Sequence, residues 1–257
     1  MIPRRLYEHV TTHDWFAVAI DFVIVVVGVY IGIEVSNWNA ERHERSAARA
    51  YIERIREDIA YSAQSLQQTV EYYQAVKTQA LKALEGFEKP VDELDEHFLV
   101  EAYDASRIIS RPVERSTFDE ILSAGAMNTI RNLEVRTRLA IYYKTVESAE
   151  QSMEGIPPYR MSLRRHMPYT VQAAIFEQCK NNPSIDDRGF VWVTMLMDCE
   201  LVLPAETVAV SISAIHIPEL KLDLSQRLSD LDYKLSLSNR LIERGKVLDQ
   251  FLAEAEM

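Results

Sequence analysis

Apolar side chains run almost without interruption from Trp15 to Val35, broken only by Asp21 and Glu34. Beyond them the rhythm changes. Ile52, Ile55, Ile59, Leu66, Tyr73, Val76 and Ala80 recur on a heptad-like stripe, with Arg54, Arg56, Glu57, Asp58 and Gln64 on the other side. The first pattern has the length of a bilayer-spanning helix, about 30 Å at a rise of about 1.5 Å per residue. The second is an amphipathic helix with one packed face. Ser62 and Thr69 fall on alternate core positions of that register, which favours a bundle core over the seam of a coiled-coil dimer. Neither glycine nor proline occurs between Gly32 and Gly86, so the spacing predicts one helix running from the span into the body.

Gly86 and Pro90 end this rod. "DELDEHFLVEAYDAS" then reads as a short acidic helix with Leu94, Phe98, Leu99 and Ala102 inward. Thr117 and Glu120 have the spacing of a capping box, Gly125 supplies a left-handed terminus, and Asn132 with Glu134 starts a helix that runs to about Gly155. Past Pro157 and Pro158, "RMSLRRHMPYTVQAAIFEQC" and "IDDRGFVWVTMLMDCELVL" read as two helical segments on either side of a turn at Asn181, Asn182 and Pro183. The piece from Ala205 to Ile217 has the Val, Ile and Ser content of a strand but is read as helix. Leu224, Leu228, Leu231, Leu235, Ile242 and Leu252 predict a second long amphipathic helix, antiparallel to the first.

The expected class is all-α: an N-terminal transmembrane helix continuing into a long helix, packed in an extramembrane helical bundle. Residues 1–14 form an N-terminal flank, 15–38 the span and 39–257 the extramembrane domain. Seven glycines in 257 residues leave few of the turns that sheets require. A net charge of −11, most of it beyond the apolar run, repels phosphate backbones, so no nucleic-acid partner is expected. The two cysteines, Cys179 and Cys199, suffice for one bridge and are too few for a disulfide scaffold.

Trp15 and Trp38 bracket the apolar run and Asn37 and Asn39 lie at its far edge, the placement of membrane-interface anchors. The competing reading is a buried helix or strand of a soluble core, suggested by the β-branched run from Val23 to Val27. A cleaved signal peptide fits less well, because Arg4 and Arg5 stand far upstream and no small-x-small pattern follows; an uncleaved signal anchor fits better. Gly28, Gly32 and Ser36 repeat every fourth residue and open one helical face to close approach by another helix, which makes a homo-oligomer an expected partner beside the lipid bilayer. Asp21 projects from that same face, where a second helix would shield it, or else it reaches the headgroups.

Two signals set the side of the body, and they disagree. Arg42, Arg45, Arg49, Arg54 and Arg56 follow the span against Arg4 and Arg5 before it, which favours a cytoplasmic body, but large domains translocate regardless of charge. A Cys179–Cys199 bridge calls for an oxidising compartment. The reading adopted is a periplasmic body.

The segment "VVVGVYIGIEVSNWNAER" resembles a family of uncharacterised bacterial single-pass membrane proteins whose apolar N-terminal helix carries an Ile-Gly pair followed by Asn-Trp-Asn. "TFDEILSAGAMNTIRNLEVRTRLAIYY" is similar to a second block of that family, through Thr117, Phe118, Glu120, Gly125, Ile130, Arg131, Asn132, Tyr142 and Tyr143. The resemblance covers roughly the first half of the chain and implies a bacterial inner-membrane location and a helical body. It implies no activity.

Catalytic motifs are absent from the sequence. Phosphate loops need clustered glycines, a serine-hydrolase elbow needs Gly-x-Ser-x-Gly, and di-iron bundles need Glu-x-x-His; none occurs. His9 with His13, and Glu93 with His97, have one-turn spacing but read as solvated pairs. A cysteine nucleophile would have only His166 nearby. Arg131, Arg164 and Arg165 are candidate anion contacts, the latter two in a basic cluster with Arg160 and His166, for which internal ion pairs are the plainer explanation. The functional expectation is therefore a structural or interaction subunit working with an unidentified protein partner, with no catalytic residues, metal or cofactor. The alternative is a ligand-sensing bundle that signals through a partner.

Overall fold

The computed structural model describes residues 15–109 and 111–255, with the backbone alone at Phe16 and Ala17. The N-terminal flank, with Arg4, Arg5, His9 and His13, lies outside these residues. The fold is all-α apart from one hairpin. Helix α1, Trp15–Gly86, is a single element of 72 residues, so the absence of helix breakers between Gly32 and Gly86 has the consequence expected of it.

The stripe on the second half of α1 is the core of the body. Ile55, Ile59, Leu66, Tyr73, Val76 and Ala80 are all buried, and so are Ser62 and Thr69. They face helix α8, Pro218–Ala255, of the same chain, so the stripe is a bundle core rather than an intermolecular seam. Ion pairs from Arg56 to Asp249 and Lys77 to Asp232, and from Glu88 just past α1 to Lys221, show the two helices antiparallel, because residues rising along the first meet residues falling along α8. Gly245 of α8 permits the approach: a Cβ there would lie 3.3 Å from Ile59 Cγ2.

Shorter helices close the two ends of this pair. Near the apolar half, α3 (Ser116–Ser123) and α4 (Leu133–Met153) pack Phe118, Ile121, Leu139, Tyr143 and Val146 against Ile52, Ile59 and Leu241. Further along, α2 (Glu96–Ala105), α5 (Pro158–His166), α6 (Tyr169–Gln178) and α7 (Ala205–Ile215) bury Leu99, Tyr159, Leu163, Ile175 and Ile212 against Val76, Ala80 and Leu224.

Local signals acted as expected at several termini. The Asn132 side chain accepts from the N–H groups of Glu134 and Val135, and Gly125 has φ +64°. Ala205–Ile215 is helix. Four expectations need correction. Thr117 and Glu120 form no capping box: the N–H of Thr117 donates to Asp58 Oδ2 on α1, Glu120 pairs with Arg54, and the N–H of Ser116 donates to Glu114, so other carboxylates take the place of that box. Glu93 sits in a 3-10 turn, Val91–Glu93, and α2 begins only at Glu96 under an Asp95 cap, so Glu93 and His97 share no helix. The segment read as helix across Met167 and Pro168 is two helices, since Pro168 cannot donate to the carbonyl ladder.

The fourth correction concerns "IDDRGFVWVT", which is no helix. Strands β1 (Asn182–Ile185) and β2 (Val191–Thr194) pair antiparallel, Ser184 opposite Trp192 and Ile185 opposite Val191. Asp186 accepts the N–H groups of Arg188 and Phe190, and Gly189 at φ +83° completes the turn. The β-branched and aromatic run from Phe190 to Thr194 prefers a pleated surface, and Pro183 is tolerated because a two-stranded sheet consists of edges.

Candidate functional site

Three features stand out from the scaffold: the apolar half of α1, the bridged hairpin region, and a cleft beneath the loop that joins α4 to α5.

Among the described residues, none packs over the apolar half of α1. An 18-residue window in it has mean hydropathy 2.4 with none of it buried, which sets it apart from the core helix of a soluble protein. Phe22, Ile24, Val25 and Tyr30 are each more than 60% exposed, and large apolar surface left bare marks a contact with lipid or protein. One helix near the N-terminus is thus long and apolar enough to cross a membrane. Gly28 and Gly32 have no atom within 4 Å of a built Cβ, and Asp21 and Ser36 are exposed on the same open segment. Trp15, Asn37, Trp38 and Asn39 are exposed at its two ends, and the Arg42 guanidinium lies 4.9 Å from the centre of the Trp38 ring.

The three candidate anion contacts are not brought together. Arg131 reaches back to α1 and pairs with Glu41 and Glu44; its proximity holds the Glu41 carboxyl below the usual carboxylate range. Its charge is therefore used to tie the α3–α4 connection to α1 just past Trp38. Arg165 is exposed. Arg164 donates to Ser106 Oγ at 2.9 Å and stacks on the Tyr103 ring at 3.4 Å.

Cys179 and Cys199 are joined in a disulfide, with Cα atoms 5.5 Å apart. It closes the loop that carries the hairpin, and the hairpin in turn docks on α1: the Tyr61 hydroxyl donates to Asp186 Oδ2 at 3.0 Å, and its ring contacts Phe190 and Trp192. Burial and the Asp186 bond raise the Tyr61 phenol to about 12. Both sulfurs are buried and bonded, which removes them as nucleophiles.

Basic groups converge where α2 ends. Arg160 donates to Ser106 O, Arg164 to Ser106 Oγ, Arg107 to Asp104 and to Cys179 O, and Arg227 to Ala105 O at 3.3 Å and Arg107 O at 2.8 Å. The free carbonyls at a helix C-terminus carry partial negative charge, which explains the attraction. Arg227 and Arg164 each keep one buried nitrogen without a hydrogen bond, and Arg227 is the more deeply buried of the two. It is 1% exposed, and its Nη1 makes no hydrogen bond. Among the described residues no carboxylate bonds to it. Desolvation lowers its affinity for the proton, yet a guanidinium stays charged inside proteins.

Arg227 also lines a cleft. Its smaller lobe, about 190 Å³, adds Glu154, Asp230, Tyr233 and Lys234 beneath the Gly155–Pro158 loop. The adjoining lobe, about 390 Å³, shares Glu154, Ile156 and Lys234 and is walled by Leu66, Tyr73, Ile109 and Met153. Tyr73 fixes one wall, since its hydroxyl donates to Ile109 O and accepts from Ile109 N–H. Lys234 Nζ donates to Met153 O at 2.7 Å, and burial pulls its pKa down. Neither Arg227 nor Lys234 stands out in the leucine spacing of α8, although a charged residue in line with Leu220, Leu224 and Leu231 is the signal that would have exposed Arg227. Among the described residues, no cluster of three or more His, Cys, Asp or Glu side chains is placed to hold a metal ion.

Comparison of the chain with family models, with curated proteins and with solved structures finds no match.

Proposed function

We propose that this chain is a single-pass protein of the bacterial inner membrane whose helical body stands in the periplasm and acts as a structural or interaction subunit. The observation that carries the reading is the continuity of α1: the same 72-residue helix presents a bare apolar half and a fully packed amphipathic half. Burying apolar surface is worth about 25 cal/mol per Å², so side chains such as Phe22, Ile24 and Tyr30 gain most from a lipid environment. The Cys179–Cys199 bridge supports the periplasmic side, because disulfides persist where thiols are not kept reduced. The Ile-Gly and Asn-Trp-Asn resemblance agrees with a bacterial membrane location. Gly28, Gly32 and Ser36 supply the face on which a second span would pack.

Fractionation of cells that express the full chain tests the first half of the reading. The protein is expected in carbonate-washed membranes and released by detergent; recovery of intact chain in the soluble fraction overturns it. A reporter fused after Met257 tests the second half. An enzyme that is active only outside the cytoplasm should work there, and activity of a cytoplasm-only reporter overturns the periplasmic assignment.

A further inference from the structure

The cleft under the α4–α5 loop contains more charge than its scaffold role needs. Arg227 already ties α8 to the end of α2 through Nε and Nη2, which leaves Nη1 buried with a donor unspent. An unmet donor in the interior carries a desolvation penalty of about 1–3 kcal/mol, more for a charged group, and because Arg227 lines the smaller lobe, an anion held there meets its positive charge although Nη1 itself is closed off by the surrounding protein. Lys234 has ammonium protons beyond the one given to Met153 O.

The countercharges narrow the ligand. Arg227 and Lys234 share the smaller lobe with Glu154 and Asp230, so the lobe is close to neutral and a polyanion such as phosphate would meet two carboxylates along with its two cations. A molecule with one charge of each sign meets complementary groups at both ends. The larger lobe is mostly apolar: Leu66, Tyr73, Ile109, Met153 and Ile156 form a surface for an apolar side chain, with Arg111 and Glu150 also on its wall, and its volume of about 390 Å³ suits a small organic molecule. About 50 Å of helix separates Trp38 from Tyr73, so the cleft lies far from the apolar half of α1 and takes its ligand from the aqueous phase.

We propose that this cleft binds an apolar α-amino acid as its zwitterion, with the carboxylate on Arg227 and Lys234, the ammonium on Glu154 and Asp230, and the side chain in the apolar lobe. The site does not depend on which side of the membrane the body occupies, and its test is independent of that assignment.

The full chain in detergent is melted with L-phenylalanine, L-leucine, N-acetyl-L-phenylalanine and L-phenylalaninamide. A ligand of the native state raises Tm with its concentration. Phenylalanine or leucine is expected to raise it, while the acetylated and amidated forms, each lacking one charge, bind roughly tenfold or more weakly, as loss of a charged hydrogen bond requires. Because Arg227→Gln removes structural bonds as well, Lys234→Gln and Asp230→Asn provide the variant arm: each should melt cooperatively when ligand-free and lose most of the phenylalanine shift. Three outcomes overturn the proposal. They are no shift with either amino acid, an equal shift with the acetylated form, and an undiminished shift in both variants.

Discussion

Asp58, buried on α1, accepts the N–H of Thr117 at 3.1 Å and so begins α3 from another element. Arg115, at the position that would normally cap α3, makes no side-chain cap. The first turn of α3 thus has two carboxylate acceptors, the local Glu114 for the N–H of Ser116 and the distant Asp58 for that of Thr117. Asp58→Ala should destabilise the body by about 2 kcal/mol, the usual scale for an N–H left without its charged acceptor. Asp58→Asn keeps a carbonyl oxygen and should lose less than half as much. Denaturant unfolding followed by far-UV circular dichroism checks both.

Glycines on α1 divide into two kinds. At Gly86 a Cβ would lie 2.8 Å from Phe98 Cε2, and that ring is held by Phe87 and His216. Gly86→Ala should therefore destabilise by about 1–3 kcal/mol despite the better helix propensity of alanine. Gly28 and Gly32 have empty surroundings. Gly28→Leu and Gly32→Leu should leave the Tm of the body unchanged while reducing self-association in detergent, as read by chemical crosslinking.

The bridge between Cys179 and Cys199 spans a sequence separation of 20. Loop closure of that size is worth about 3 kcal/mol. Cys179→Ala combined with Cys199→Ala should lower unfolding stability by about that amount and loosen the hairpin first, seen as protease cutting between β1 and β2 before the helices yield. A thiol reagent should label the native chain only after reduction.

Lys234 gives stability a pH dependence of known sign. Burial, with Arg227 adding to it and Asp230 opposing it, sets the folded-state pKa below that of the unfolded lysine. The penalty for holding it charged is complete below the folded pKa and disappears as pH rises towards the ordinary lysine range. Stability of the wild-type chain relative to Lys234→Met should therefore increase from pH 7 to pH 10. Parallel thermal melts of the two proteins measure the difference.

How much of this was legible from the chain varies with the range of the forces involved. Helix α1 could be read end to end because its signals are local: an apolar run, a stripe, and the breakers that bound it. Asn132 and Gly125 were legible for the same reason. The capping box at Thr117 and Glu120 failed because Asp58 and Arg54 outcompeted a local bond, and no pattern within the segment announces a partner from another helix. The hairpin was missed although Phe190 to Thr194 carried its signature, since the apolar residues after Thr194 prolonged the run to helical length. Arg131 looked available to an anion until Glu41 and Glu44, distant in sequence, met it. The cleft was invisible because it exists only where α1, α8 and the α4–α5 loop come together.

The absence of a break in α1 has a mechanical corollary. A single ladder of backbone hydrogen bonds runs from Trp15 to Gly86, so the residues that grip α8 and those left bare share one axis. A load that a neighbour placed on the bare end would be carried along that axis to the packed end, where α8 resists it and where Tyr73 and Leu66 form part of the cleft wall.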